Sequence, residues 1–228
     1  MFSVKYKKIC RDRSKTCPLK NMMIVPALLT DKIDDLAKMI EICSGFTDFV
    51  QIDIMDGRFV ASRSVSRQDL SALKINIGHE AHLMVDDPLE WLDVFVKLGC
   101  KRIIYHFEIK ADHNLIIEEI RKKGMEVGLA VNPGTKLDGF AGLVDKVDSV
   151  LFMSVIPGFY GAAFMPQVLP KIKEFKKLYP KKITGIDGGI KLDNIKAVRE
   201  SGVGYICVGS AILKAANPKE AFNLLRLG

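Results

Sequence analysis

Eight short apolar runs recur along the chain, separated by stretches with the three-to-four-residue spacing of amphipathic helices. The runs are Met23 to Ala27, Phe49 to Asp53, Glu80 to Met84, Arg102 to His106, Glu126 to Val131, Ser149 to Met153, Lys182 to Asp187 and Tyr205 to Val208. They are close to continuously apolar rather than alternating, as expected of strands buried on both faces in a parallel sheet. Helical spacing covers Asp34 to Ile42, Pro88 to Leu98, Asn114 to Lys123, Val168 to Leu178 and Asp193 to Ser201. Gly45, Gly99, Gly124 and Gly202 stand near helix ends, where a left-handed cap conformation is expected. Eight strand–helix units in 228 residues predict a (β/α)8 TIM barrel. An open doubly wound sheet is the alternative, because periodicity does not prove closure.

The composition, 48% hydrophobic and 27% charged, supports one large globular domain with its own core. The net charge of +7 has a local source: Lys5, Lys7, Lys8, Arg11, Arg13, Lys15 and Lys20 crowd the first twenty residues against the single acid Asp12. Residues 1–21 are therefore read as a basic, flexible extension and 22–228 as the barrel domain, with no nucleic-acid partner expected. No apolar run is long enough for a spanning helix, and MMIVPALL is short and broken by Pro26, so neither a membrane nor secretion is expected. The five cysteines include no CxxC pair, and Cys43, Cys100 and Cys207 lie in or beside apolar segments. Reduced, buried thiols and a cytoplasmic location are the expectation, and Cys10 with Cys17 makes an incomplete metal site.

The chemistry-bearing residues cluster where the strands end. Asp53 and Asp187 close apolar runs two and seven, far apart around the expected rim, and could face each other across a substrate. Two opposed carboxylates suit proton removal from one face of a carbon and return to the other. A strand-end aspartate also commonly caps the next helix, a role open to Asp56 as much as to Asp53. His82 could join Asp53 and Asp187 in a mixed nitrogen–oxygen set for a divalent cation, whereas His106 reads as a core histidine. Glycine-rich turns follow runs six, seven and eight. Gly188, Gly189, Gly209 and Ser210, with Gly158, Phe159, Tyr160 and Gly161 closing over them, are read as a phosphate cradle of backbone N–H groups. By pattern alone, Met55, Met84 and Met153 are core filler.

The segments IDIMDGRFV, AHLMVDDP, VNPGT, VIPGFYG, IDGGI and VGSAIL together resemble the ribulose-phosphate 3-epimerase family from about Ile24 to the C-terminus. The resemblance implies a barrel of the ribulose-phosphate-binding type that interconverts D-ribulose 5-phosphate and D-xylulose 5-phosphate, and a homo-oligomer. It implies Asp53 and Asp187 as the acid–base pair and Asp53, His82 and Asp187 as ligands of one divalent ion (Zn, Fe, Mn or Co). It also implies that Met55, Met84 and Met153 line the phosphorylated ketose, and it supports the phosphate cradle. The family's fourth ligand, a histidine in H-x-D-x-M-D-G, is replaced by Gln51, whose amide oxygen is a poorer donor and should weaken metal binding. The chain departs from the family pattern at Ala27, Ile156, Tyr160 and Ala162 as well, and it adds Arg63 and Arg67. A six-carbon ketose phosphate as substrate, or a non-catalytic sugar-phosphate binder, are the alternatives. The decarboxylases and synthases of related barrels are disfavoured, because Met55 stands where they carry the lysine of D-x-K-x-x-D.

Overall fold

The computed structural model describes residues 22–158 and 161–228. Its eight strands are β1 (Met23–Leu28), β2 (Phe49–Met55), β3 (Gly78–Met84), β4 (Arg102–His106), β5 (Glu126–Val131), β6 (Ser149–Met153), β7 (Ile183–Asp187) and β8 (Tyr205–Val208). Every neighbouring pair is parallel, and β1 returns to β8 with Met23 opposite Tyr205 and Pro26 opposite Val208. The sheet is a closed barrel, so the open-sheet alternative is excluded.

Alternation along each strand divides the core into two shells. Val50, Ile52 and Ile54 of β2 pack with Leu36 and Ile40 of the helix Ile33–Ser44, in the layer between barrel and helices. Val25, Ala27, Ile104, Ala130, Leu151 and Tyr205 form a separate inner cluster, built from five different strands. Because successive side chains face opposite ways, Gln51, Asp53 and Met55 share one face of β2, and Glu80, His82 and Met84 share one face of β3.

Helices follow the expected spacing, with local differences that have chemical causes. Pro88–Leu98 is a 3₁₀ turn, Pro88–Trp91, leading into the helix Leu92–Lys97. Asp87 starts that turn by accepting the Leu89 N–H at 2.9 Å, and Pro88 has no N–H of its own to place. The helix expected from Asp193 begins at Ile195, since Asn194 Oδ1 first accepts the Lys191 N–H at 2.9 Å and closes a turn. Gly99, Gly124 and Gly202 take positive φ, but Gly45 does not: its φ is −73°, and its N–H still reaches the Ile42 carbonyl in a right-handed turn. The helices Leu137–Val144 and Pro218–Leu227 carry apolar faces that the spacing had not singled out. Residues 1–21, including Cys10 and Cys17, lie outside the described residues, as do Phe159 and Tyr160.

Candidate active site

Strand numbering misleads about distance around this barrel. Asp53 on β2 and Asp187 at the end of β7 are expected far apart, yet closure leaves only β8 and β1 between their strands. The two carboxylates converge on one atom: Gln51 Nε2 donates to Asp53 Oδ1 at 2.8 Å and to Asp187 Oδ2 at 2.7 Å. His82 Nδ1 lies 3.1 Å from Asp53 Oδ1 and 3.6 Å from Asp187 Oδ2. Ligand atoms of Asp53, His82 and Asp187 fall within 4.8 Å of one another, and all three residues are buried. Neither Asp53 nor Asp56 caps the next helix, Arg67–Leu70, whose N-cap is Ser66; Asp56 instead accepts N–H bonds from Arg58, Phe59 and Asp86 in the loops beside the site.

His82 is oriented from behind. Its Nε2 lies 3.0 Å from His106 Nε2, and His106 Nδ1 lies 3.3 Å from Glu108 Oε2. A carboxylate only accepts, so His106 donates from Nδ1, accepts at Nε2 from His82, and leaves His82 Nδ1 facing the two aspartates. Burial pushes His106 down to about 4, which keeps it neutral in that role. Burial also opposes charge on His82, but the hydrogen bond and charge of Asp53, followed by the charges of Asp187 and Glu80, raise its pKa. Asp187 moves up to about 7, first because it is buried and second because Asp53 is close. His106 is a core histidine with a directional partner, which its place in an apolar run could not reveal.

One pocket gathers most of the remaining candidates. Met55, Met84 and Met153 line it together with Asp53, His82, Asp187, Gly158, Gly161, Gly188, Gly189, Gly209 and Ser210. Gly188 has φ 117°, and an added Cβ would meet Val155 Cγ2 at 2.5 Å; Gly189 has φ 64°, and its Cβ would meet the Phe164 backbone nitrogen at 2.6 Å. No side chain fits either position without displacing its neighbours. Ser154, which carried no signal in the sequence, holds this turn by donating from Oγ to the carbonyls of Asp187 at 2.9 Å and Gly188 at 2.7 Å. Cys207, expected only as a buried thiol, also lines the pocket and donates from Sγ to Gln51 Oε1 at 3.0 Å. Its register opposite Asp187 was the missing signal.

Among the family departures, Ala27 and Ala162 line the pocket, while Ile156 is exposed. Arg63 and Arg67 border a neighbouring cleft beyond Met55, where Arg67 pairs with Glu90 at 3.2 Å and lies over the Trp91 ring.

Ionisable groups gathered inside the C-terminal mouth of a closed parallel barrel, beside glycine turns after its last strands, define a TIM-barrel enzyme. The chain belongs to the ribulose-phosphate 3-epimerase family, whose sequence model matches residues 23–213. It is 32% identical to the ribulose-phosphate 3-epimerase of Schizosaccharomyces pombe, over 89% of this chain and 92% of that one. It is 31% identical to the enzyme of the same name from Mycobacterium leprae, over 90% and 93%. Family and relatives alike are epimerases, in the isomerase class. Solved barrels share the fold at lower identity. A 3-hexulose-6-phosphate synthase superposes with TM-score 0.67 at 16% identity, covering 90% of this chain and 99% of that one. Phosphoribosyl anthranilate isomerase from Thermococcus kodakaraensis gives 0.65 at 15%, covering 91% and 100%. The family depends on a divalent metal in general, and the buried Asp53, His82 and Asp187 can bind one. No helix among the described residues is long and apolar enough to cross a membrane.

Proposed function

We propose that the protein is a sugar-phosphate 3-epimerase acting on D-ribulose 5-phosphate and D-xylulose 5-phosphate, with Asp53 and Asp187 as its proton-transfer pair. The observation that carries this reading is the convergence of both carboxylates in one pocket with the glycine turns. One aspartate takes the proton from the carbon beside the ketose carbonyl, and the other returns a proton to the opposite face, inverting that centre. The rise of Asp187 to about 7 suits a pair in which one member is protonated while the other is ionised. Met55, Met84 and Met153 give the reacting carbon an apolar wall that excludes water. The backbone N–H groups of the turns at Gly158, Gly161, Gly188, Gly189, Gly209 and Ser210 hold the phosphate; Phe159 and Tyr160 belong to the same loop by sequence.

Asp53, His82 and Asp187 would hold the divalent ion. When bound it supplies Lewis acidity toward the substrate's oxygens. The donor set fits: two carboxylate oxygens and one imidazole nitrogen, buried and within 4.8 Å of one another. Mixed nitrogen and oxygen donors suit Zn, Fe(II), Mn or Co. Gln51 fits less well as a fourth ligand, because its oxygen is turned toward Cys207.

Epimerisation in D₂O is the direct test. Deuterium should enter C3 of both pentulose phosphates, with each metal offered in turn, and Asp53→Asn or Asp187→Asn should lower the rate by about a hundredfold or more. Sugar-phosphate binding with no exchange at C3 would leave a non-catalytic binder. A six-carbon ketose phosphate is the second reading, favoured by the small Ala27 and Ala162 in the pocket wall. Relative kcat/KM for pentulose and hexulose phosphates decides between them. A homo-oligomer and a cytoplasmic location belong to the same reading, checked by light scattering and by cell fractionation.

A further inference from the structure

Gln51 is held in one orientation by groups on both of its sides. Its Nε2 faces two carboxylate oxygens, at 2.8 and 2.7 Å, that accept hydrogen bonds. Its Oε1 faces Cys207 Sγ at 3.0 Å, a thiol that donates. The contact passes across β1, where Ala27 is paired with Gln51 and Val25 with Cys207. Gln51, Cys207 and Ala27 are all buried, with Gln51 at 0% exposure, so water does not compete for either end of the amide.

We propose that Cys207 is a positioning residue that locks the Gln51 amide with its nitrogen toward Asp53 and Asp187, and that this lock sets how tightly the Asp53–His82–Asp187 group takes a divalent cation. With the nitrogen inward, Gln51 spans the two carboxylates with N–H donors, so an oxygen of each of the two carboxylates that would ligate a cation is engaged by the amide. A cation held by Asp53, His82 and Asp187 would displace those N–H donors, and the amide can face it without repulsion only when turned by half a rotation, with its oxygen inward. That turn breaks both carboxylate bonds and the thiol bond, and it leaves the amide N–H₂ against a sulfur that is only a weak acceptor. Cys207 thereby favours the amide-bridged pair over the metal-bound one.

The inference rests on the metal-site reading of Asp53, His82 and Asp187, and the test separates the two. Binding of Mn²⁺ alone to the full chain, stripped of metal, is measured by the electron paramagnetic resonance signal of the free ion. Cys207→Ala removes the donor and should tighten Mn²⁺ binding about three- to tenfold, the range that loss of one opposing hydrogen bond gives. Cys207→Val, nearer in shape to an apolar filling of the same place, should do likewise, and thermal midpoints establish that both fold. Gln51→Glu presents oxygen in every orientation, so adding Cys207→Ala to it should give no further gain. A tightening that persists in the Gln51→Glu background would overturn a route through the amide. Weaker Mn²⁺ binding in Cys207→Ala would overturn the lock as well, making the thiol a ligand instead. Unchanged affinity, with binding still abolished by His82→Ala, defeats the lock and leaves the metal site standing. Absence of saturable Mn²⁺ binding in both the native protein and Cys207→Ala defeats both readings.

Discussion

Asp187 ends β7 with its carboxyl buried beside Asp53, and burial, followed by that neighbouring charge, moves its pKa from 3.8 to about 7. The folded protein therefore keeps a proton at pH values where the unfolded chain has already released it. Stability from this proton is full below 3.8 and is lost as pH rises through about 7. In the metal-free protein, Asp187→Asn, which cannot ionise, should become progressively more stable than the native chain from pH 5 to 8. Urea midpoints at pH 5, 6, 7 and 8 in a chelator measure this; parallel curves would show that the carboxyl is not under that constraint. Added Mn²⁺ should narrow the gap at pH 8, because a cation offsets the repulsion between the two aspartates. The sequence exposed the two carboxylates and His82 as residue types at strand ends. It did not expose the amide between them, because Gln51 stands out only against a family pattern and the carboxylates it donates to lie 2 and 136 positions away.

At the scale of elements, the turn after β7 is the most constrained piece of the site. Gly189 has a left-handed φ of 64°, and an added Cβ would lie 2.6 Å from the backbone nitrogen of Phe164, which no rotamer change relieves. Gly189→Ala should cost on the order of 1–3 kcal/mol, and the displaced turn should raise KM for the sugar phosphate more than it changes kcat. Thermal melts and steady-state kinetics check both halves, and a variant with native KM would remove this turn from the phosphate site. Gly202 has φ 87° with Lys176 Cγ the nearest outside atom at 3.8 Å, so Gly202→Ala should carry the backbone strain without touching KM. The strands were legible because buried parallel strands write themselves as apolar runs, and four of the eight have the bounds expected of them. Several helices were less legible. Leu137–Val144 is short and interrupted by Gly139 and Gly142, and Arg67–Leu70 is a single turn fixed by the capping box of Ser66 and Asp69.

For the molecule as a whole, barrel closure also encloses the ion pair of Glu80 and Arg102 on β3 and β4. Arg102 Nε donates to Glu80 Oε2 at 2.8 Å, and its guanidinium lies 5.0 Å from the Tyr205 ring centre. Arg102→Met strands a buried carboxylate and should cost about 3–5 kcal/mol. For a barrel of this size that is on the order of 10 °C in thermal midpoint. Glu80→Leu combined with Arg102→Met should be milder than Arg102→Met alone, and the reverse order would mean that the Glu80 carboxylate left without Arg102 carries no burial penalty. Residues 1–21 are a separate matter: β1 pairs with β8 from Met23 onward, so deleting them should leave the midpoint nearly unchanged, and a loss of several degrees would assign them a packing role. The apolar runs, the helical spacing and the placing of Asp53, His82, Asp187 and the glycine turns follow from sequence alone, because they depend on short-range periodicity and residue chemistry. Closure, the meeting of β2 and β7 across only two strands, the His82–His106–Glu108 chain and the hold of Cys207 on Gln51 were decided by tertiary structure. Each depends on which residues of separate strands come level around the barrel, and no local pattern in the chain carries that distance.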